Sequence, residues 1–172
     1  MILQKQLFEE IELIPAEKIC NSMIKNIIYL DTCSLQRPLD DRSQPRIYLE
    51  AEAVLTLLRL VEAEKLQLLS SDVLQFEISN IADFNRKSEA QLMLKLAAHI
   101  ATIQPNIRQL AEQIIAIGVK PMDALHAAVA IENQVHYFCT CDDKLLKKLK
   151  TLNFNQQTKF LSPLELIMEV TE

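Results

Sequence analysis

The sequence predicts an α/β fold, a three-layer α/β/α sandwich with a mostly parallel sheet. Short apolar segments alternate with longer amphipathic ones along its 172 residues, as expected when helices connect parallel strands. The first of these segments, residues 27–30, is apolar without interruption, which is typical of a strand buried on both faces. A single glycine and 5% aromatic residues argue against an all-β sandwich, which needs many tight turns.

The composition is that of a soluble globular protein, with 49% hydrophobic and 24% charged residues. A chain of this length can bury a substantial core in one domain. No apolar run is long enough to cross a membrane, and the N-terminus lacks the basic region and apolar core of a secretory signal. We therefore expect a cytoplasmic protein with no membrane partner.

Net charge and cysteine content exclude few classes of function. A net charge of −5 does not by itself indicate a nucleic-acid binder, although clustered carboxylates can bind a cation that in turn binds phosphate. The four cysteines show no C-x2-C spacing, so a zinc knuckle is not indicated. We expect reduced thiols in a reducing compartment. A metal site built from Cys33 and Cys141 is the alternative, because both lie at ends of predicted strands.

Residues 1–25 precede the first strand and are predicted to form an N-terminal helical extension. Apolar residues recur there at helical spacing, with a break at Pro15. The rest of the chain, residues 26–172, is predicted to form the α/β domain.

In the first half of this domain, helical periodicity and capping residues set the expected elements. Ile47, Val54 and Val61 mark the apolar face of a long helix. Ser71 and its neighbours end the second strand and suit a helix N-cap. The predicted elements are strands at 27–30, 66–69 and 102–103, and helices at 47–61, 73–80 and 86–101.

In the second half, proline and glycine mark where helices begin and end. Pro105, Pro121 and Pro163 each suit a first helical position, and Gly118 lies where the helix from Pro105 must stop. The predicted elements are strands at 135–140 and 159–161, and helices from 105 to the glycine, at 121–133, at 142–149 and from 163 onward.

Four acidic residues follow the predicted strands or lie in the helices after them: Asp31, Glu77, Asp123 and Asp142. Because ligands of parallel sheets bind in the crevice beyond the carboxyl ends of the strands, we expect these side chains to meet there. Taken singly, each has another explanation. Asp123 suits the positive end of a helix dipole, Asp142 can cap the next helix, and Glu77 can be an ordinary surface residue. Together they form an oxygen-rich set that suits Mg²⁺ or Mn²⁺, which can activate water for attack on phosphorus.

Four stretches carry a family resemblance: LDTCSL, SSDVLQFEI, MDALHAAVA and FCTCDD, in this order. Over residues 26–168 the chain resembles PIN-domain proteins of the VapC-type toxin kind. The resemblance implies a metal-dependent ribonuclease that uses Mg²⁺ or Mn²⁺. It assigns catalysis and metal binding to Asp31, Glu77, Asp123 and Asp142. It also implies that three further residues support these carboxylates: Thr140, Asp143 and Ser34. The family often has Asn or Ser two residues after the first Asp, where this chain has Cys33.

Basic residues near the expected crevice are candidates for binding RNA phosphates, since charge-assisted contacts to phosphate suit these side chains. For the lysines, a solvated basic face is the alternative. His126 lies one turn after Asp123, where it either touches substrate or packs inside the fold. The predicted RNA-binding residues are Arg37, Arg42, Arg46 and Lys144.

The function that follows is hydrolysis of RNA phosphodiesters by a metal-dependent endoribonuclease, the toxin of a type II toxin–antitoxin pair. Its expected partners are an RNA substrate, an antitoxin protein and, by resemblance, a second copy in a homodimer. One alternative is a non-catalytic PIN-like module that binds RNA or protein, motivated by Cys33. Another is a Mg²⁺ phosphatase with Asp31 as nucleophile, disfavoured because such enzymes usually have a second Asp where Cys33 stands.

Overall fold

A computed structural model describes residues 25–153 and 157–171. Within these ranges five strands form one sheet in the order β3-β2-β1-β4-β5, and every pair of neighbouring strands is parallel. The predicted α/β/α class is thereby confirmed. The predicted N-terminal extension lies, apart from Lys25, outside the described residues. The strands are β1 (Asn26–Leu30), β2 (Leu66–Ser71), β3 (His99–Ala101), β4 (Tyr137–Cys139) and β5 (Lys159–Leu161).

The helices connect successive strands and cover both faces of the sheet. Short α1 is followed by a 3₁₀ turn over Arg37–Leu39 before the long helix α2 begins. None of the described helices is both long enough and apolar enough to cross a membrane. The helices are α1 (Thr32–Gln36), α2 (Pro45–Glu62), α3 (Asp72–Ser79), α4 (Phe84–Leu94), α5 (Pro105–Ala116), α6 (Pro121–Glu132), α7 (Asp143–Leu149) and α8 (Pro163–Thr171).

Strand β1 lies at the centre of the sheet and separates two cores. Its side chains alternate between the faces. Ile28 and Leu30 belong to the core under α2 and α8, whereas Tyr29 belongs to the core under α5 and α6. All three are fully buried, as the uninterrupted apolar run predicts. The carboxyl end of β1 therefore opens at the middle of one sheet edge, where a residue can be reached from both layers.

Helix α6 carries several small residues that are buried in the core. Ala124, Ala127, Ala128 and Ala130 are all fully buried. Pro121 occupies the first turn, and the preceding helix ends before Gly118, whose φ of 84° lies in the left-handed region that glycine tolerates best. These features bring the first turn of α6 against the carboxyl ends of the strands.

The region around β3 differs from the prediction. The helix expected over 86–101 begins at Phe84 and ends at Leu94, and the third strand is His99–Ala101, not 102–103. The N–H of Ala98 donates to the carbonyl of Leu68, and residues 99–101 continue this pairing along β2. Pairing with β2 thus outweighs the helical preference of an alanine-containing stretch, which local sequence does not reveal.

Candidate active site

The four predicted carboxylates line one cleft of about 230 Å³ at the carboxyl ends of the strands. Asp31 follows β1, Glu77 projects from α3, Asp123 lies in the first turn of α6, and Asp142 precedes α7. They converge because β1 is central and its neighbours β2 and β4 end at the same edge. The cleft is lined by Asp31, Thr32, Cys33, Gln36, Glu77, Asp123, His126, Asp142 and Leu145.

Asp31 is the most deeply placed of these carboxylates, with only 4% of its surface exposed. Its Oδ1 accepts the N–H of Ser34 at 2.8 Å, which caps α1. Burial raises the pKa of the Asp31 carboxyl well above its usual range, and Cys33 adds to the rise, while hydrogen bonds from Thr140 and Ser34 oppose it. Within the described residues Asp31 has no ion pair with a basic side chain.

Glu77 is held from two sides. Its Oε2 lies 2.7 Å from Nε2 of His126 and accepts a hydrogen bond from the hydroxyl of Thr32. The hydrogen bond with His126 is the main reason that the pKa of Glu77 is lowered, and the bond from Thr32 contributes in the same direction against partial burial. Glu77 is therefore a fixed carboxylate at the cleft wall and not a freely rotating surface residue.

His126 belongs to a buried chain of hydrogen bonds that runs into the core. Its Nδ1 lies 2.7 Å from the hydroxyl of Tyr29, which in turn lies 2.7 Å from the hydroxyl of Ser71. The Glu77 carboxylate can only accept, so Nε2 of His126 donates to it. In the neutral imidazole Nδ1 then accepts from the hydroxyl of Tyr29, and Tyr29 in turn accepts from Ser71, whose Oγ also accepts the N–H of Leu74. The hydrogen-bond pattern assigns His126 this tautomer.

His126 packs inside the fold, as one of its two expected roles requires, and it also reaches the cleft. Its contact with substrate stays a prediction. The side chain is 2% exposed, yet it lines the cleft. Tyr29 and Thr32 are functional candidates that sequence reasoning missed. A tyrosine inside a buried strand needs a partner for its hydroxyl, and that requirement was the available signal.

Asp123 and Asp142 occupy the outer part of the cleft. Burial is the largest cause of the raised pKa of Asp123; the charges of Asp142 and Glu77 add to it, whereas His126 and Lys120 oppose it. Asp142 caps α7 by accepting the N–H groups of Lys144 and Leu145 at 2.8 and 3.1 Å. The capping explanation therefore holds for Asp142, and it places the carboxylate in the cleft at the same time.

The three residues expected to support the carboxylates have different surroundings. Thr140 is buried, and its Oγ1 accepts the N–H of Asp142 at 3.1 Å. Ser34 supports Asp31 through its backbone N–H, and its hydroxyl donates to the carbonyl of Cys139 at 3.2 Å. Asp143 instead forms a bidentate ion pair with Arg46.

Cys33 stands where the family often has Asn or Ser. Its Sγ lies 3.1 and 3.2 Å from the two carboxylate oxygens of Asp31. The neighbouring Cys141 thiol is the main reason that the pKa of Cys33 is raised, followed by burial. The thiol thus stays protonated and donates to Asp31, so the position keeps a hydrogen-bond donor despite the change of residue type.

The donor chemistry of the cleft fits a hard divalent cation. Asp31 is a buried carboxylate without a basic partner, and such a charge is costly unless a cation compensates it. Carboxylate oxygens are the ligands that Mg²⁺ and Mn²⁺ prefer. In the part of the chain that the structure describes, however, no group of three or more His, Cys, Asp or Glu side chains could hold a metal ion as it stands.

The predicted RNA-binding arginines are all engaged by carboxylates. Arg46 lies 2.7 Å from Glu50 and 2.6 Å from Asp143. Lys144, by contrast, has no ion pair with a described acidic residue. The other pairs are Arg37 with Asp40 at 2.8 Å and Glu50 at 2.9 Å, and Arg42 with Glu52 at 2.8 Å.

Comparison with known proteins identifies the family. The family profile described as PIN domain matches residues 28–151, whereas no curated protein sequence matches the chain. The fold is similar to that in the crystal structure of VapBC2 from Rickettsia felis bound to a DNA fragment from their promoter, with a TM-score of 0.55 and 14% identity over 78% of this chain and 98% of that one. It is also similar to PAE2754 from Pyrobaculum aerophilum, with a TM-score of 0.51 and 16% identity over 86% of this chain and 98% of that one. Because the profile spans more than half of the sequence, the chain belongs to the PIN-domain family.

Proposed function

We propose that this PIN domain is a metal-dependent endoribonuclease that hydrolyses RNA phosphodiesters and acts as the toxin of a type II toxin–antitoxin pair. The observation that carries the proposal is the buried carboxylate of Asp31, without a basic partner, in a cleft lined by three further carboxylates. Such a site attracts a divalent cation, and a cation bound there attracts a phosphodiester.

The proposed cation is Mg²⁺ or Mn²⁺, held by carboxylate oxygens of Asp31, Glu77, Asp123 and Asp142. When bound, it would polarise the phosphodiester and promote attack of water on phosphorus. The chain itself supplies orientation. Ser34 and Cys33 fix the carboxylate of Asp31, while Thr32 and His126 fix that of Glu77. Pre-set carboxylates lose little conformational freedom when the ion and substrate bind.

The biological role follows the resemblance to VapC-type toxins. We propose an antitoxin protein as partner, a homodimer as the assembled form and the cytoplasm as the compartment. VapBC2, whose fold is similar, has been crystallised on a DNA fragment from its promoter. Co-expression of this chain with its genomic neighbour would test the partnership, because growth arrest by the chain alone and relief by the neighbour are both expected.

The central experiment compares RNA cleavage by the native chain and by Asp123→Asn in Mn²⁺. We expect the substitution to lower kcat at least 100-fold, since one cation ligand and one charge are lost. Asp72→Asn is the matched control, because Asp72 also lies in the first turn of a helix but not in the cleft. Equal activity of Asp123→Asn and the native chain would overturn the assigned site.

A non-catalytic RNA- or protein-binding module is the second candidate, and two observations favour it. Cys33 replaces the residue type common in the family, and no described group of side chains is arranged to hold a metal ion as it stands. Calorimetric titration with Mn²⁺ separates the candidates. Heat of binding that disappears in Asp31→Asn supports the nuclease, whereas RNA binding without Mn²⁺ binding or cleavage supports the module.

A further inference from the structure

A second groove opens beside the acidic cleft and shares part of its wall. It has a volume of about 180 Å³, and Asp123, Asp142 and Leu145 line both depressions. The two are therefore continuous across the pair of aspartates. A polymer whose reacting bond lies in the cleft would extend directly into this neighbouring space, which we call the lysine groove.

Three lysines line the lysine groove: Lys120, Lys144 and Lys148. Lys120 directly precedes α6, and the other two lie one turn apart on α7. All three side chains are exposed. Lys148 donates to the carbonyl of Gly118, which leaves its positive charge uncompensated.

None of these three ammonium groups forms an ion pair with a described acidic residue. The arginines near the cleft differ, since Arg37, Arg42 and Arg46 are each held by one or two carboxylates. Glu50, which holds two of them, is itself 2% exposed. A phosphate that approached these arginines would have to displace carboxylates, whereas one that entered the lysine groove would not. Of the basic residues compared, only those of the lysine groove thus have positive charge that no described carboxylate compensates.

The floor of the lysine groove is apolar. Val119 and Leu145 line it and are both buried, at 4% and 5% exposure. Apolar walls under a rim of ammonium groups suit a ribose-phosphate unit, because the sugar can cover the floor while phosphate oxygens meet the lysines. Lysine acts on phosphate as a point charge without base contacts. The groove therefore offers affinity without sequence selection.

We propose that the lysine groove binds the backbone phosphate next to the one that is cleaved, and so anchors the RNA strand on one side of the cut only. The inference rests on the proposed function, because it takes the acidic cleft as the place where the phosphodiester is hydrolysed. Lys120 and Lys144 are the principal binding residues, and Lys148 supplies additional charge.

The first test is the double variant Lys120→Gln/Lys144→Gln in RNA cleavage assays at several salt concentrations. We expect KM to rise about tenfold with kcat nearly unchanged, and the slope of log KM against log salt to fall by about 0.7, the value for one lost phosphate contact with a single strand. The control is Lys65→Gln/Lys147→Gln, which removes the same charge from exposed lysines outside the groove. An equal rise of KM in both double variants, or none in either, would overturn the inference.

The second test places the anchor along the strand. Short RNA substrates in which one phosphate at a time is replaced by an uncharged methylphosphonate are compared on the native chain and on the groove variant. We expect one position beside the cut to raise KM of the native chain and to have little effect on the variant. Equal sensitivity on both sides of the cut would contradict a one-sided anchor.

A wrong assignment of the lysine groove and a wrong assignment of the nuclease function would give different experimental results. If the native chain cleaves RNA and the groove variant keeps the native KM, the groove assignment is wrong and the nuclease stands. If the native chain does not cleave, fluorescence anisotropy with labelled RNA decides the groove alone. Loss of affinity in the groove variant but not in the control then supports it, and equal affinity in all three overturns it.

Discussion

The hydroxyl of Tyr29 lies 2.7 Å from Nδ1 of His126, in the core behind the acidic cleft. Tyr29 is the next-to-last residue of the central strand and is fully buried. Burial is the main cause of the raised pKa of this hydroxyl, so it remains a proton donor at all physiological pH values. Because Tyr29 donates to Nδ1, the ring proton of His126 lies on Nε2, the nitrogen that faces Glu77. The interior of the sheet thereby controls the orientation of a carboxylate at the site.

Substitution Tyr29→Phe tests this control, because it removes the hydroxyl and keeps the ring. Nδ1 of His126 loses its donor and Ser71 loses its acceptor, which costs about 1–3 kcal/mol of stability. We expect kcat for RNA cleavage to fall about tenfold with little change in KM. Tyr48→Phe is the control, since Tyr48 is 49% exposed. Native kcat in a destabilised Tyr29→Phe protein would show that the contact serves the fold alone.

Substitution Asp31→Asn is expected to stabilise the metal-free protein while abolishing cleavage. Folding raises the pKa of Asp31, so the folded state binds its proton more tightly than the unfolded chain does. This group therefore lowers stability as the pH rises from the unfolded pKa towards the folded one. Asparagine removes the penalty and can still accept from Ser34. Thermal unfolding at pH 7 without metal measures the gain, at about 2–4 °C for each kcal/mol.

When Mn²⁺ is present in the same thermal unfolding experiment, we expect the native chain to be more stable than Asp31→Asn. The native chain gains stability from an ion that binds only the folded state, whereas Asp31→Asn does not. If Asp31→Asn melts below the native chain without metal, the assignment of Asp31 as an uncompensated buried charge is wrong.

Substitutions of Cys33 test whether its thiol acts as a hydrogen-bond donor to Asp31 or only fills space. In Cys33→Ser a hydroxyl replaces the thiol that faces both oxygens of Asp31, and we expect cleavage within about threefold of native. In Cys33→Val the donor is lost, and we expect kcat to fall about tenfold, in line with loss of a hydrogen bond to a charged group, worth about 1.5–3 kcal/mol. Equal rates for the two variants would show that the thiol does not orient Asp31.

Glu165 gives a pH-dependent contribution to stability far from the site. Although partial burial opposes it, the hydrogen bonds from Lys150 and Ser162 lower the pKa of Glu165. The contribution is therefore present above the unfolded pKa, near 4.3, and is lost as the pH falls through the folded pKa. Because the pair is solvent-screened, Glu165→Gln should cost roughly 0.5 kcal/mol at pH 7. Urea unfolding at pH 7 and pH 3 measures it against Glu112→Gln, and an equal cost at both pH values would contradict the assignment.

Much of the framework is predictable from local sequence. The apolar run before Asp31 predicts a central buried strand, Ser71 predicts the start of α3, and Gly118 predicts the end of α5, all as found. These features depend on neighbours along the chain. The acidic residues are predictable as a set because the edge of a parallel sheet gathers whatever follows its strands.

The features that the sequence did not predict depend on contacts between segments that are distant along the chain. Tyr29 meets Ser71 and His126, which are 42 and 97 positions away, and only the register of β1 against β2 and α6 brings them together. The ion pairs of Arg46 with Asp143 and of Arg86 with Asp40 span 97 and 46 positions. Sequence reasoning proposed Arg46 as a phosphate ligand, and its pairing with Asp143 could not be read from spacing.

The alanine face of α6 makes residues without reactive groups decisive for a catalytic distance. Since Ala124, Ala127, Ala128 and Ala130 are fully buried in the core, we expect a methylene added to any of them to push the helix outward and to move Asp123 with it. In a saturation mutagenesis screen for lost activity, these alanines should therefore behave like the acidic residues. A screen for lost folding would detect them less readily, because a helix can shift by a fraction of an ångström and still pack.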